Sequence, residues 1–164
     1  MTSTVTISLG SNIEPEQNIR KAMIELQNQF GQLIISPVYQ TAAVGFAGED
    51  FLNLVVSLVT EKSVYEIAAE LKAIEDRIGR DRSQPKFSAR SIDLDLLTYD
   101  QLVLDVPGVQ VPRHEILQHA FVLKPLSDIQ GDFCHPEQDK TYRQLWREME
   151  KKADRIELFE LNLG

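Results

Sequence analysis

This sequence is poor in cysteine and lacks both long apolar runs and an excess of basic residues. Cys134 is the single cysteine, which excludes a disulfide within the chain and fits a reducing compartment, so we expect a cytoplasmic protein. The first residues lack the features of a signal peptide, and no run is long enough to span a bilayer, so we expect no membrane partner. With 17 basic against 25 acidic residues, the net charge of −8 argues against a nucleic-acid partner.

Glycine-rich phosphate loops are absent too. The chain has neither a Gly-x4-Gly-Lys-Ser/Thr loop nor a Gly-x-Gly-x-x-Gly turn, which excludes the two best-known sequence signatures of nucleotide binding. There is no internal repeat, low-complexity segment or linker. What remains is a chain of 164 residues, 43% hydrophobic and 26% charged, which is typical of a globular protein with a core. We therefore expect one domain over residues 1–164, and we expect it to be a monomer.

Hydrophobic periodicity predicts strands and helices in the order β-α-β-β-α-β. Apolar residues at helical spacing follow Pro15, and again follow Ser63, which forms a capping-box signature with Glu66. The predicted strands are residues 4–9, 33–41 with Pro37 at an edge or bulge, 51–60 and a stretch containing Asp93; the predicted helices are residues 15–30 and 64–78.

This order predicts an α+β protein of ferredoxin-like type, in which an antiparallel sheet carries its helices on one face. The other face is then left to carry a site. C-terminal additions follow, and we expect them to be a short strand near residues 102–104, a turn or short helix after Pro112 and a helix around residues 142–149.

Asp93 and Asp95 stand one residue apart in a predicted strand. Because a strand repeats every two residues, both carboxylates project from one face while Ile92, Leu94 and Leu96 share the other. Mg²⁺ relieves the repulsion of two such acids, since it takes one or two carboxylates together with substrate phosphates. The cations just upstream are Arg77, Arg80, Arg82, Lys86 and Arg90. The pattern indicates either a metal–polyphosphate site or a solvated acidic strand beside a basic loop.

Several separated segments match the motifs of one known family, in order and with its spacing. They include Gly10-Ser11-Asn12 and the run around Asp93 and Asp95. The complete set is residues 9–12, 39–45, 51–53, 74–75, 79–82, 90–97, 111–112, 120–126 and 135–136. Over most of its length the chain therefore resembles 6-hydroxymethyl-7,8-dihydropterin pyrophosphokinase. This resemblance implies an enzyme of folate biosynthesis that transfers a diphosphate from ATP to the pterin alcohol and releases AMP.

The resemblance also implies residue roles. Asp93 and Asp95 would hold two Mg²⁺ ions, with ATP as the co-substrate. Phe51 and Phe121 would stack on the pterin ring, and Asn53 would bind its edge. The remaining substrate-binding residues would be Thr41, Ala42, Val44 and His119. The residues on the nucleotide side would be Glu75, Arg80, Arg82, Arg90 and His114, with Arg82 and Arg90 also catalytic.

The chain departs from the family pattern in two regions. Residues 86–91 read Lys-Phe-Ser-Ala-Arg-Ser where the family has Arg-Trp-Gly-Pro-Arg-Thr. Arg113 and His114 follow Pro112 in place of the usual histidine motif, and His119 replaces an arginine. These changes leave open a diverged paralogue that binds pterin with low or no turnover, or that uses a different phosphate donor.

Two unrelated functions share single features with the chain. Nucleotidyltransferases also pair Gly-Ser with Asp-x-Asp, but they keep the two motifs close together, whereas here Ser11 and Asp93 are far apart in sequence. RNA-binding modules share the β-α-β-β-α-β order, but they need a basic surface with exposed sheet aromatics. The acidic balance and the aspartate pair disfavour them.

Overall fold

The computed structural model describes residues 1–41, 50–79, 91–153 and 155–163. None of the helices in these stretches is both long and apolar enough to cross a membrane. The strands are β1 Ser3–Ser11, β2 Ile34–Ile35, β3 Val38–Thr41, β4 Phe51–Thr60, β5 Asp93–Tyr99, β6 Leu104–Val106, β7 Val109–Val111 and β8 Glu157–Phe159. The helices are α1 Pro15–Phe30, α2 Val64–Gly79, the one-turn 3₁₀ helix His114–Leu117, α3 Ala120–Gln130 and α4 Tyr142–Glu150.

The main sheet confirms the predicted ferredoxin-like arrangement. Its strands run in the order β5-β1-β4-β3-β8, with β2 also paired to β4, and every pairing is antiparallel. The strand predicted over residues 33–41 is interrupted. At the break, Ser36 exchanges hydrogen bonds with Val55: its N–H donates to the Val55 carbonyl and its Oγ accepts from the Val55 N–H, both at 2.9 Å. Pro37 follows this irregularity, in agreement with its prediction as an edge or bulge residue.

Local signals in the sequence determine where the two long helices begin and end. Pro15 occupies the first turn of α1, and the Gly31 N–H closes its end by donating to the Gln27 carbonyl. At the start of α2, the Ser63 N–H donates to Glu66 Oε1 and the Glu66 N–H donates to Ser63 Oγ, both at 3.2 Å. The predicted capping box is therefore confirmed.

Alternation along the strands separates two hydrophobic layers. One face of β1, β4 and β5 packs against α1 and α2; its central residues are Val5, Ile7, Leu9, Leu54, Val56, Leu58, Leu94 and Leu96. The opposite face supplies Val55 and Leu97 to a smaller cluster formed with α3, α4 and the 3₁₀ helix. The C-terminal additions thus cover part of the face that the sequence left to the site.

Helix α3, which the sequence patterns did not predict, is fastened to the sheet by polar contacts. Tyr39 of β3 donates a hydrogen bond to Asp128, and Lys124 Nζ lies 2.8 Å from the other carboxylate oxygen. Burial and the neighbouring Asp128 carboxylate raise the pKa of Tyr39, so its hydroxyl keeps its proton and acts as a donor. Gln130 Nε2 donates to Ser57 Oγ of β4 at 3.3 Å. These bonds fix the helix that forms one wall of the site described next.

Candidate active site

A cavity of about 1150 Å³ opens on the second face of the sheet, between the strands and α3. Its floor comes from β1, β3, β4 and β5, and includes Gly10, Asn53 and both aspartates. Its walls come from Arg113, Glu115 and residues 117–123, and from the end of α4 with the segment that follows it. The topology therefore brings residues that are far apart in sequence to one cleft.

The aspartate pair lies where strand alternation predicts it. Asp93 and Asp95 line the cavity, while Leu94 between them is 4% exposed and belongs to the opposite core. In the sheet, Gly10 pairs with Asp93 and Ser8 pairs with Asp95. The two acids therefore project from a strand whose position is fixed by β1.

Glu75 of α2 holds the same strand from the other side. Its Oε2 accepts a hydrogen bond from the Leu94 N–H at 2.8 Å, at the residue between the two aspartates. Among the described residues, Glu75 is not part of the cavity lining. The structure thus gives its carboxylate a positioning contact, and the nucleotide contact that the family resemblance implies stays a prediction.

Arg113 is a cavity residue that sequence reasoning recorded only as a departure from the family pattern. Its Nη2 lies 3.5 Å from Asp95 Oδ1, and its Nε lies 3.1 Å from Glu115 Oε2. The Nε–H is buried but lacks hydrogen-bond geometry, so its contact with Glu115 is an ion pair without a formed hydrogen bond. No sequence signal indicated this pairing, because it depends on how the segment after β7 returns to β5.

Asn53, Thr41 and Gly10 form a compact polar corner of the cavity. Asn53 is 6% exposed, and its Nδ2 donates to Thr41 Oγ1 at 3.1 Å. A Cβ on Gly10 would stand 2.9 Å from Asn53 Oδ1, which is closer than real side chains approach. Glycine at position 10 therefore makes room for the amide, and Asn53 lines the cavity with a group that can both donate and accept hydrogen bonds.

The aromatic residues also meet at the cavity. Phe51 and Phe121 both line it, from β4 and from the first turn of α3. The His119 ring stacks on Phe121, with centroids 4.8 Å apart and planes 13° from parallel. His119 therefore packs against one face of the Phe121 ring, which the family resemblance predicts to stack on the pterin.

The other predicted site residues fall outside this group. His114 is exposed, its N–H donates to Gln110 Oε1 at 3.2 Å, and among the described residues it is not part of the cavity lining. Its predicted nucleotide contact stays a prediction. Ala42, Val44, Arg80, Arg82 and Arg90 lie outside the residues that the structure describes. Residues 79–90, whose polar composition predicts a long loop, lie outside them from residue 80 onward.

The fold and the cavity define a class of protein: a small α+β protein with an acid pair and stacked rings in one cleft. Comparisons with known proteins agree with this class. The family model for 7,8-dihydro-6-hydroxymethylpterin-pyrophosphokinase matches residues 6–131. A 2-amino-4-hydroxy-6-hydroxymethyldihydropteridine pyrophosphokinase of Pseudomonas aeruginosa is 33% identical over 141 residues, covering 84% of this chain and 86% of that protein. A protein of the same name from Synechocystis sp. is 33% identical over 150 residues, covering 90% of this chain and 76% of that protein.

Solved structures show the same fold in a longer chain. Wild-type Plasmodium falciparum HPPK-DHPS, crystallised with pterin and p-hydroxybenzoate, aligns with a TM-score of 0.73 at 14% identity. The alignment covers 93% of this chain and 44% of that one, so the present chain spans less than half of that protein. The chain belongs to the 7,8-dihydro-6-hydroxymethylpterin-pyrophosphokinase family.

Proposed function

We propose that the protein is a pyrophosphokinase of folate biosynthesis, which transfers a diphosphate from ATP to 6-hydroxymethyl-7,8-dihydropterin and releases AMP. The observation that carries the proposal is the meeting of the aspartate pair with Asn53 and Phe121 in one cavity. An acid pair serves metal-bound phosphates, and a buried amide beside an aromatic ring serves a flat heterocycle. The aspartate pair and the Asn53–Phe121 group come from distant parts of the sequence, so the fold itself brings the two binding groups into one cavity.

The donor chemistry of the cavity fits Mg²⁺. Carboxylate oxygens are the hard ligands that this ion prefers, and both Asp93 and Asp95 line the cavity. In the described part of the chain, no group of three His, Cys, Asp or Glu side chains is arranged to hold a metal. Two carboxylates suit an ion that completes its shell with substrate phosphates and water. When bound by Asp93 and Asp95, Mg²⁺ would neutralise phosphate charge; we propose two ions.

The protein's own residues bind and orient the two substrates. Asn53 pairs with the edge of the pterin, with Thr41, Ala42 and Val44 completing that side, while Phe51 and Phe121 stack on the ring. The arginines Arg80, Arg82 and Arg90 neutralise the triphosphate, with Glu75 and His114 as further contacts on the nucleotide side. Orientation of the alcohol and the nucleotide within one cavity supplies much of the rate.

The reaction itself is a single displacement at phosphorus. The pterin alcohol oxygen forms a bond to the β-phosphorus of ATP, and the bond from that phosphorus to the α,β-bridging oxygen breaks. AMP leaves with the bridging oxygen, and the alcohol proton passes to water. Charge builds up on the phosphate oxygens during this step, which is why cations around the cavity favour it.

AMP formation tests the proposal directly. The purified protein is incubated with Mg²⁺, ATP and the reduced pterin, and AMP is followed by chromatography. We expect pterin-dependent AMP, and a loss of at least about a hundred-fold in Asp95→Asn, because the charge that holds the metal is halved. Asp105→Asn is the matched control, since Asp105 is an exposed residue of β6 outside the cavity lining.

Two other results would redirect the proposal. Pterin binding without AMP would favour the non-catalytic paralogue that the sequence left open. AMP formation that does not depend on pterin would indicate a different acceptor. The monomeric state and the cytoplasmic location stay predictions, which light scattering and cell fractionation would test.

A further inference from the structure

Arg113 is fixed beside the aspartate pair by its backbone. Its N–H donates to the Leu97 carbonyl at 2.9 Å, so its Cα lies against β5, two residues beyond Asp95. The 3₁₀ helix begins at the next residue, which sets the direction in which the chain leaves β5. The side chain is 31% exposed and lines the cavity. Arg113 is therefore part of the site's framework and its head group is only partly solvated.

The Arg113 guanidinium lies between two carboxylates and is locked to neither. The 3.5 Å separation from Asp95 is long for a charge-assisted hydrogen bond, and the 3.1 Å approach to Glu115 lacks hydrogen-bond geometry. Such a head group can shift between its two partners without breaking a strong bond. Glu115 also lines the cavity, so this shift keeps the positive charge within the site.

We propose that Arg113 acts as a counter-ion of Asp95 in the metal-free protein, and that a divalent cation displaces it toward Glu115. The inference rests on the part of the proposed function that makes Asp95 a metal ligand. A positive charge this close to a ligand oxygen opposes the arrival of a second cation. The free protein therefore binds the metal weakly. Substrate phosphates bring negative charge, offset Arg113 and raise metal affinity when they bind.

The test compares two arginines that each lie between two carboxylates. Arg113→Gln removes the proposed counter-ion, whereas Arg77→Gln makes the same charge change on α2, where Arg77 Nη2 lies 3.0 Å from Glu25 and 3.3 Å from Glu70. Affinity for Mn²⁺ is measured without nucleotide by electron paramagnetic resonance. We expect Arg113→Gln to bind Mn²⁺ about two- to five-fold more tightly than wild type, and Arg77→Gln to match wild type. The rise in melting temperature on adding Mn²⁺ should be larger in Arg113→Gln as well.

Glu115→Gln provides a second measurement if Arg113→Gln does not fold. Without the Glu115 charge, the position away from Asp95 is less favourable for the Arg113 guanidinium, so Mn²⁺ should bind more weakly than in wild type. Equal Mn²⁺ affinities in Arg113→Gln and Arg77→Gln would overturn the inference, even if the wild type forms AMP. A tighter Arg113→Gln in a protein that forms no AMP would support the counter-ion and reject the proposed reaction instead.

Discussion

The contact between Gly10 and Asn53 links two neighbouring strands at the scale of single residues. Residue 10 pairs with Asn53 across β1 and β4, and the amide oxygen occupies the space that a side chain at position 10 would need. Alternation in β5 allowed the facing of Asp93 and Asp95 to be predicted from sequence. The Asp95–Arg113 contact could not be predicted, because nothing local indicates where a residue beyond β7 will reach.

Gly10→Ala is expected to weaken pterin binding through Asn53. The new Cβ would stand 2.9 Å from Asn53 Oδ1, so the amide has to shift from the position in which it bonds Thr41. We expect about a ten-fold rise in the pterin Kd, of the order produced by losing one good hydrogen bond in a buried site. The measurement is calorimetric titration with the pterin. In an Asn53→Ala background the Gly10→Ala effect should disappear, and two independent additive losses would contradict this coupling.

Phe121→Leu is expected to lower pterin affinity by about two- to ten-fold, because a stacked aromatic pair contributes roughly 0.5–1.5 kcal/mol beyond its buried area. Phe133→Leu is the control, since Phe133 is 55% exposed and not part of the cavity lining. Fluorescence titration with the pterin provides the measurement. If Phe121→Leu and Phe133→Leu bind the pterin with equal affinity, the pterin does not stack on Phe121.

At the scale of elements, caps and periodicity predicted the two helices of the first layer but not α3. Pro15 and the Ser63–Glu66 box are local signals with a direct backbone consequence. Helix α3 buries seven of its eleven residues, so its apolar residues do not form a single stripe at helical spacing. It also carries Pro125, which disfavours a helix interior. Its helical form depends on packing against β4 and α4.

Tyr39→Phe is expected to loosen α3 from β3. The substitution removes the hydrogen bond to Asp128 and leaves the Lys124–Asp128 ion pair in place. We expect the free energy of unfolding to fall by about 1 kcal/mol, the usual net value of such a bond. Urea denaturation measures it, with Tyr65→Phe as the control, since Tyr65 is 57% exposed on α2. A smaller loss than in the control would mean that packing alone holds the helix.

For the whole molecule, the sheet separates a layer whose two helices were predicted from a layer in which α4 and the short helix after Pro112 were predicted and α3 was not. The alternating apolar residues of β1, β4 and β5 and the stripes of α1 and α2 already describe the first core. The second core forms when residues 116–145 fold back over Val55 and Leu97, which are far from each other in the sequence. Long-range return of this kind has no periodic signature. The family resemblance gave the site residues, but not the elements that enclose them.

Stability of the whole molecule should fall in mild acid because of His135. The side chain is 3% exposed, its Nδ1 accepts the Glu137 N–H at 3.0 Å, and its ring meets Tyr142 edge-on. Burial lowers the pKa of His135 below its usual 6.5, an effect that the Glu137 charge partly opposes. The unfolded chain therefore takes up the proton more readily, so stability is complete above pH 6.5 and decreases as the pH falls through the window below it.

Urea denaturation at a series of pH values checks this expectation. The slope of unfolding free energy against pH below 6.5 should be smaller in His135→Asn than in wild type. His114→Asn is the matched control, because it makes the same substitution at an exposed histidine. Parallel slopes in all three proteins would exclude His135 as the source.

The central position of β1 governs how the molecule can be assembled during synthesis. Its two hydrogen-bonding neighbours are β4 and β5, and the pairing joins Val5 to Leu58 on one side and to Tyr99 on the other. Bringing such distant segments together costs conformational entropy, so these pairings form more slowly than helices do. A nascent chain that ends before residue 99 leaves one edge of β1 without its strand, so the two halves of the acidic cleft can come together only after most of the polypeptide has left the ribosome.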